Sequence, residues 1–138
     1  MSTGRRSARR HAVFVLYQQD LLKLETAAAL SRDENGDMDE YAARIVKGVA
    51  SARPRIDGLL EAHLSEWSLE RLGILERSIL RVATYELLEE RDVPVAVVVD
   101  EAVNLAKRFC SMEAGALING ILGNAATEAR STDPEGAV

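Results

Sequence analysis

The fold class depends on residues 92–109, which read DVPVAVVVDEAVNLAKRF. Five valines within residues 93–99 favour a β-strand, because β-branched side chains suit a pleated sheet. Pro94, however, suits the first turn of a helix that Asp92 would cap. The helical alternative is supported by apolar residues that recur every three or four positions: Val95, Val98, Val99, Ala102, Leu105, Ala106 and Phe109. We therefore predict one helix, with a strand as the competing interpretation.

The first half of the chain shows helical periodicity interrupted by one acidic loop. Apolar residues at helical spacing predict an amphipathic helix over residues 7–24 and a short helix over residues 25–30. Residues 32–40 contain an Asn-Gly pair and five acidic residues, which predict a solvated loop. The helical pattern over residues 38–64 runs through Pro54, which disrupts a helix interior. Two helices sharing one buried stripe or one kinked helix both fit, and we favour the kinked helix.

The second half adds two helices on either side of the valine-rich segment. Regular apolar spacing predicts a helix over residues 72–87, and Ser111 can cap a last helix. Within that last helix an Asn-Gly pair would ordinarily suggest a hairpin, but the apolar stripe continues on both sides of it. We therefore predict an all-α fold of six to seven helices in a single domain, residues 1–130. Residues 131–138 are predicted to form a disordered tail.

Composition restricts the class of protein. The 138 residues are 47% hydrophobic and 4% aromatic, which is enough apolar material for one core without metals or disulfides. Cys110 is the only cysteine, so no intrachain disulfide can form and a reducing compartment is expected. No apolar run approaches the roughly 18 residues of a membrane span, and the N-terminal apolar stretch is too short for a signal peptide. We expect a cytoplasmic protein that has no membrane partner.

Candidate catalytic and metal-binding groups are few. His11 and His63 lie at no metal-ligand spacing from each other or from Cys110, and His63 falls on an apolar stripe, where an interface role is favoured. Asp100 and Glu101 are the carboxylate pair nearest an apolar wall, but most carboxylates of helical proteins are solvated. Three glycines form no nucleotide-binding motif and are interpreted as sites of close helix packing: Gly115, Gly120 and Gly123. We predict no catalysis, no metal and no cofactor.

Charge is distributed unevenly along the chain. The whole sequence has 17 basic and 22 acidic residues, a net charge of −5. The N-terminal segment, residues 1–12, contains four arginines and no carboxylate. Without those arginines the chain has 13 basic and 22 acidic residues, a net charge of −9. A basic segment on an acidic body therefore points to a localised anionic partner such as a nucleic acid.

The four arginines form two ridges if the segment is helical. Arg5 stands one turn before Arg9. Arg6 likewise stands one turn before Arg10, and like charges at this spacing destabilise a helix by about 0.2–0.5 kcal/mol per pair. A polyanion would neutralise this repulsion. The alternatives are a frayed, solvated terminus and pairing with the protein's own acidic surface. Four phosphate contacts on single-stranded RNA predict a salt slope of about −2.8.

Short motifs recur in a characteristic order between residues 5 and 126. They are Arg5-Arg6-Ser7-Ala8-Arg9 with Ala12-Val13 and Leu16-Tyr17; Gly48-Val49 and Ile56-Asp57; Ile79-Leu80-Arg81 with Tyr85-Glu86-Leu87; Asp92-Val93-Pro94; Asp100-Glu101-Ala102-Val103 with Leu105-Ala106-Lys107; and Ile118-Asn119-Gly120-Ile121-Leu122. Each is weak alone, but the order is specific. Together they resemble the NusB family of transcription antitermination factors, and this resemblance favours the helix for the valine-rich segment.

The resemblance implies two small perpendicular helical bundles and a protein that is not an enzyme. It implies binding to the boxA element of nascent RNA jointly with NusE, a small-subunit ribosomal protein, in the RNA polymerase antitermination complex of ribosomal RNA operons. Glu76 matches a position at the partner surface, and Glu113 stands where the family usually has an aspartate. The positions implied to bind RNA are Arg5, Arg6, Arg9, Tyr17 and Glu113, with Arg10 as a basic extension.

One departure from the family pattern concerns Leu117. The family usually has a phenylalanine before the Asn-Gly pair, and in some members this residue contacts RNA. Leucine cannot stack on a base, a contact worth about 1–3 kcal/mol per base. We therefore interpret Leu117 as a core residue and expect a weaker or rearranged RNA site.

Two other functions are compatible with the residues. A helical protein-interaction module would use the arginines to bind an acidic partner or a second copy of the chain. An isolated RNA-binding domain of the kind attached to ribosomal RNA methyltransferases is the other alternative. Both monomers and homodimers occur in the family that the motifs resemble, so a homodimer is among the expected assemblies.

Overall fold

The structure, a computed structural model, describes residues 4–32, 38–64 and 68–131. Within these ranges the chain forms seven α-helices and one 3-10 turn (Leu69–Arg71), and no strand. The helices are α1 (Gly4–Leu22), α2 (Thr26–Ser31), α3 (Glu40–Ser51), α4 (Arg53–Ala62), α5 (Ile74–Glu89), α6 (Val95–Phe109) and α7 (Met112–Ser131). The predicted all-α fold of six to seven helices is confirmed.

The central element is α5, which packs against α1, α3, α4, α6 and α7. Every residue of α5 from Ser78 to Leu88 is buried. On one side of α5 the helices α1 and α3 pack together, and on the other side α6 pairs with α7. Burial of aliphatic side chains is the main source of stability in such a core. The largest of them are Ile45, Ile56, Leu60, Ile79, Leu80, Leu87, Ile118 and Leu122.

The valine-rich segment is helical, so the competing strand interpretation is wrong. Helix α6 begins at Val95, and the carbonyl of Pro94 accepts hydrogen bonds from the N–H groups of Val97 and Val98, at 3.0 and 3.1 Å. Proline suits this place because it has no N–H that the first turn would leave unsatisfied. The predicted cap by Asp92 is wrong, because Pro94 occupies the capping position and no side chain caps the helix.

The single kinked helix predicted over residues 38–64 is wrong, and the alternative of two helices is confirmed. Helices α3 and α4 are separated by Ala52, whose φ and ψ are −102° and 15°. The Ala52 N–H still donates to the Gly48 carbonyl, and its carbonyl accepts from the Ile56 N–H. Pro54 lies in the first turn of α4, where a missing N–H costs nothing.

The last helix follows the prediction. The Ser111 Oγ accepts a hydrogen bond from the Ala114 N–H at 3.0 Å, which confirms the predicted cap. The Asn-Gly pair lies inside α7, as expected. Ser131 ends α7, and the remaining residues of the predicted tail lie outside the described ranges, as does the centre of the predicted acidic loop. Of the helices that the structure describes, none is long and apolar enough to cross a membrane.

Candidate nucleic-acid interface

All four N-terminal arginines lie on α1, and three of them bind carboxylates from distant parts of the chain. Arg5 Nη1 is 3.1 Å from Asp92 Oδ2. Arg6 Nη2 is 3.0 Å from Glu101 Oε1. Arg9 binds a third carboxylate, which is buried. These pairs offset the repulsion between the arginines of α1. Pairing with the protein's own acidic groups, the alternative to a polyanion, therefore occurs at three of the four arginines.

Arg9 is sealed in a buried network with Glu86 and Tyr41. Its side chain is 6% exposed and that of Glu86 1%. Arg9 Nε lies 2.6 and 2.8 Å from the two Glu86 oxygens, and the Tyr41 hydroxyl donates to Glu86 Oε2 at 2.5 Å. Burial and the hydrogen bond to Glu86 raise the pKa of Tyr41 far above its ordinary value. The network ties α1 to α3 and α5. The Arg9 guanidinium faces inward, and RNA binding by Arg9 remains an untested prediction.

Arg5 lies at the edge of this network and remains accessible. Its guanidinium carbon is 4.5 Å from the centroid of the Tyr41 ring, a cation–π distance. The hydrogen bond from Arg5 holds the pKa of Asp92 below its usual value. Both partners of the Arg5–Asp92 pair are substantially exposed, and exposed ion pairs contribute little to stability. A phosphate could therefore replace Asp92 at Arg5 with little loss.

Arg6 and Arg10 lie on the outer side of α1. The Arg6 side chain is 83% exposed, although it reaches Glu101. Arg10 is half-buried and forms no ion pair with any residue in the described ranges. At about 100° per residue, positions 6, 10, 14 and 17 fall within about 80° of one another around the helix. The helix therefore places Phe14 and Tyr17 on the same side as these two arginines.

An aromatic pair joins α1 to α6 farther along this side. The rings of Phe14 and Phe109 are 5.1 Å apart at 87°, an edge-to-face contact. The Arg108 guanidinium lies 5.0 Å from the centroid of the Phe109 ring. Although it is a large apolar residue, Phe109 is 38% exposed.

The two helices run in the same direction here. From Arg6 to Phe14 is a step of eight residues, and their partners Glu101 and Phe109 are also eight residues apart. Each step covers about 12 Å of helix, so the contacts stay in register. We call this strip the α1/α6 seam; its residues are Arg6, Arg10, Phe14, Glu101, Arg108 and Phe109.

The remaining predicted site residues lie around the end of the α1/α6 seam that holds the phenylalanines. Tyr17 is half-buried one turn beyond Phe14. The thiol of Cys110 lies beside Glu76: burial, together with the charge of Glu76 and a hydrogen bond to it, raises the pKa of Cys110 to about 11. Glu113 is exposed in the first turn of α7, just after Cys110. Cys110 directly follows Phe109, so Glu76 and Glu113 lie near this end of the α1/α6 seam. Arg9 instead faces inward, and Arg5 lies over Tyr41.

A broad cleft of about 1390 Å³ opens beside the N-terminus of α1, between α3 and α5. Three of its polar side chains pair with one another: Arg44 binds Glu90 at 2.8 and 3.0 Å, and the Tyr85 hydroxyl donates to Glu90 at 2.6 Å. Burial and this hydrogen bond raise the pKa of Tyr85 far above its ordinary value. The arrangement supplies structural bonds between α3 and α5 and no activated nucleophile.

The position of His63 agrees with the sequence analysis. His63 Nε2 is 3.0 Å from Glu128 Oε1, which connects α4 to α7 and gives His63 the expected interface role. Leu117 is half-buried and packs against the core, as interpreted. Among the described residues no three His, Cys, Asp or Glu side chains are grouped so that they could hold a metal ion.

The interpretation of the α7 glycines is wrong for two of the three. A Cβ at Gly120 or Gly123 would meet nothing within 4 Å, whereas one at Gly115 would lie 2.6 Å from Lys107 Cγ. The closest glycine contact with an aromatic ring is at Gly48, where a Cβ would lie 2.1 Å from Tyr85 Cε1. Gly48 therefore lets α3 approach α5.

The sequence analysis did not identify Glu86 or the exposed face of Phe109. Glu86 lies 77 residues from Arg9, and no spacing rule connects residues so far apart. Phe109 fits the apolar periodicity of α6, which marks it as a core residue. The one available signal was the basic last turn of α6, Lys107 and Arg108, next to an aromatic residue.

Comparison with known proteins gives a consistent result. A model of the NusB family matches residues 6–127. Transcription antitermination protein NusB of Rubrobacter xylanophilus is 41% identical over 121 residues, covering 86% of this chain and 87% of that protein. The protein of the same name from Geobacillus kaustophilus is 42% identical over 119 residues, covering 86% and 92%.

Solved structures agree. NusB of T. maritima matches with a TM-score of 0.85 and 37% identity, covering 94% of this chain and 95% of that one. A chain in a crystal structure of the antitermination factors NusB and NusE with double-stranded RNA matches with a TM-score of 0.82 and 29% identity, covering 93% and 99%. The chain belongs to the NusB family.

Proposed function

We propose that this protein is a transcription antitermination factor that binds the boxA element of nascent RNA together with NusE. In this role it promotes processive transcription of ribosomal RNA operons as part of the RNA polymerase antitermination complex. The observation that carries the proposal is the pair of exposed arginines on α1, Arg5 and Arg6, in a chain whose fold matches a chain from a structure of NusB and NusE with double-stranded RNA.

The arginines of α1 divide the work between them. Arg5, Arg6 and Arg10 bind phosphates. Arg5 and Arg6 are exposed and their carboxylate partners are easily replaced. Arg10 is half-buried and has no ion-pair partner in the described ranges. Arg9 instead orients α1 through Glu86. With three phosphate contacts in place of four, the salt slope on single-stranded RNA becomes about −2.1.

Residues near the phenylalanine end of the α1/α6 seam make the polar contacts with RNA and bind the protein partner. Tyr17 and Glu113 reach RNA groups other than phosphate, and Glu76 faces NusE. The body of the chain, with a net charge of −9 without its four N-terminal arginines, repels RNA elsewhere and attracts a basic ribosomal protein. Phosphate-binding residues thus give affinity, and the partner adds specificity.

The proposed role needs no catalysis. The function is exercised by binding, and its place is the cytoplasm, where nascent RNA and NusE are both present. Neither alternative, a protein-interaction module nor a methyltransferase RNA-binding domain, is favoured by the relatives, which bear the name of the antitermination factor.

Fluorescence anisotropy tests the proposal. A labelled boxA RNA and a scrambled RNA of equal length are titrated with this protein, with NusE, and with both. We expect the pair to bind boxA more tightly than either protein alone, and the scrambled RNA more weakly. Equal affinity with and without NusE contradicts the joint-binding model, and equal affinity for both RNAs contradicts recognition of boxA.

A further inference from the structure

Phe109, at the end of α6, is a large aromatic residue that the core does not fully bury. Phe109 is 38% exposed, whereas Ala102 and Ala106 earlier in the same helix are buried. A single exposed apolar side chain is common in proteins, so the case for a ligand at Phe109 rests on how the ring is held and on the cations beside it.

The ring is held in place before any ligand arrives. Phe14 contacts Phe109 edge-to-face at 5.1 Å, and the Arg108 guanidinium lies 5.0 Å from the ring centroid. A ring restrained by two neighbours loses little freedom on binding, which lowers the entropic cost of a contact.

The charges around the ring suit an anionic ligand. Arg108, in the last turn of α6, lies over the ring, and Arg10 lies on α1 one turn before Phe14, about 6 Å along the helix. The side chain of Lys107, the other basic residue of that turn, packs beside Gly115 of α7. Of the residues that define the α1/α6 seam the one carboxylate is Glu101, which lies at the far end and binds Arg6. Two further carboxylates lie beyond the ring: Glu76 beside the Cys110 thiol, and Glu113 in the first turn of α7. Cations beside an exposed aromatic ring are the combination that binds single-stranded nucleic acid, through phosphates and stacked bases together.

We propose that Phe109 is a base-stacking site for one nucleotide of single-stranded RNA whose phosphates lie on Arg6 and Arg10. The inference rests on the proposed RNA-binding function and deepens it. Stacking on Phe109 supplies the aromatic contact that Leu117 cannot make in α7. The strand runs along the α1/α6 seam, and Arg108 either covers the stacked base or contacts its phosphate.

The test uses Phe109→Leu and Phe109→Trp in the full chain, with NusE present. Leucine keeps an apolar side chain against Phe14 but cannot stack, so we expect about 5- to 150-fold weaker RNA binding, the range for loss of one stacked base. Tryptophan should bind at least as tightly as the natural protein. The salt slope should stay unchanged in both variants, because stacking releases no counterions.

Abasic RNA separates stacking from a structural effect. In a series of boxA RNAs that each lack one base, a single position should weaken binding to the natural protein and have no effect on Phe109→Leu. Phe14→Leu is the companion variant: it removes the edge-to-face neighbour and leaves Phe109 in place, so removal of the same base should still weaken RNA binding to this variant.

Each other outcome has a definite meaning. If Phe109→Leu binds RNA as tightly as the natural protein, the stacking site is refuted while the proposed function stands. If Phe109→Leu binds NusE more weakly but binds RNA as tightly as the natural protein, Phe109 contacts the protein partner and the inference is overturned. If the natural protein binds no boxA RNA with NusE present, the proposed function and the inference both fail.

Discussion

Because Arg9 forms a buried contact with Glu86, we expect its substitution to lower stability, whereas substitution of an arginine that only binds RNA would lower RNA affinity. Removing one partner of a buried, hydrogen-bonded ion pair typically costs about 3–5 kcal/mol, because the other charge stays buried without compensation. Both side chains are almost fully enclosed, at 6% and 1% exposure. We therefore expect Arg9→Met to lower the free energy of unfolding by about 3–5 kcal/mol.

Arg10→Met is the matched control for this experiment. Arg10 lies one residue along α1 and has no ion-pair partner in the described part of the chain, so its substitution should change stability by less than about 0.5 kcal/mol. Urea unfolding followed by circular dichroism measures both variants. The double variant Arg9→Met with Glu86→Gln should recover part of the loss, since glutamine removes the buried charge and can still accept from Tyr41.

RNA binding completes the comparison at a temperature where both variants are folded. Arg9→Met should keep the salt slope of the natural protein, whereas Arg10→Met should reduce its magnitude by about 0.7, one phosphate contact. If Arg9→Met is as stable as Arg10→Met and reduces the salt slope, Arg9 is an RNA ligand and the buried network is refuted.

Three further outcomes follow from other contacts. Glu101→Gln frees Arg6 from its ion pair, so boxA RNA should bind about two- to five-fold more tightly in anisotropy titrations; weaker binding would mean that Glu101 positions Arg6. Gly48→Ala forces a methyl group onto the Tyr85 ring, so chemical denaturation should show a loss of about 1–2 kcal/mol after the helix-propensity gain; unchanged stability would show that the ring moves freely. Because its pKa is raised to about 11, the Cys110 thiol should react with iodoacetamide at pH 8.5 much more slowly than in the urea-unfolded chain, and equal rates would refute the raised pKa.

The helical fold was predictable because its signals are local. The apolar phase of residues 95–109 outweighs the strand preference of the valines, and the same phase continues through the Asn-Gly pair of α7. The break at Ala52 was harder to predict, since Pro54 permits either a kink or a new first turn. Tertiary packing decides between a kink and a new helix, and the periodicity of the sequence carries no information about that packing.

The site was predictable only in part, because its ion pairs join residues far apart in the chain. The four arginines of residues 5–10 and their helical spacing were visible in the sequence. That Arg9, and not its neighbour Arg10, binds Glu86 depends on which side of α1 packs on α5. A four-residue spacing looks the same on either side. Contact between Phe14 and Phe109 likewise requires the parallel register of two helices that are about 90 residues apart.

The central claim is that accessible arginines of α1 bind RNA phosphates, and the salt dependence of boxA binding with NusE present tests it most directly. The measurement compares the natural protein with the double variant Arg6→Ala, Arg10→Ala between about 50 and 200 mM salt. We expect the variant to reduce the magnitude of the slope by about 1.4, two phosphate contacts on single-stranded RNA. Equal slopes for the two proteins would contradict the claim.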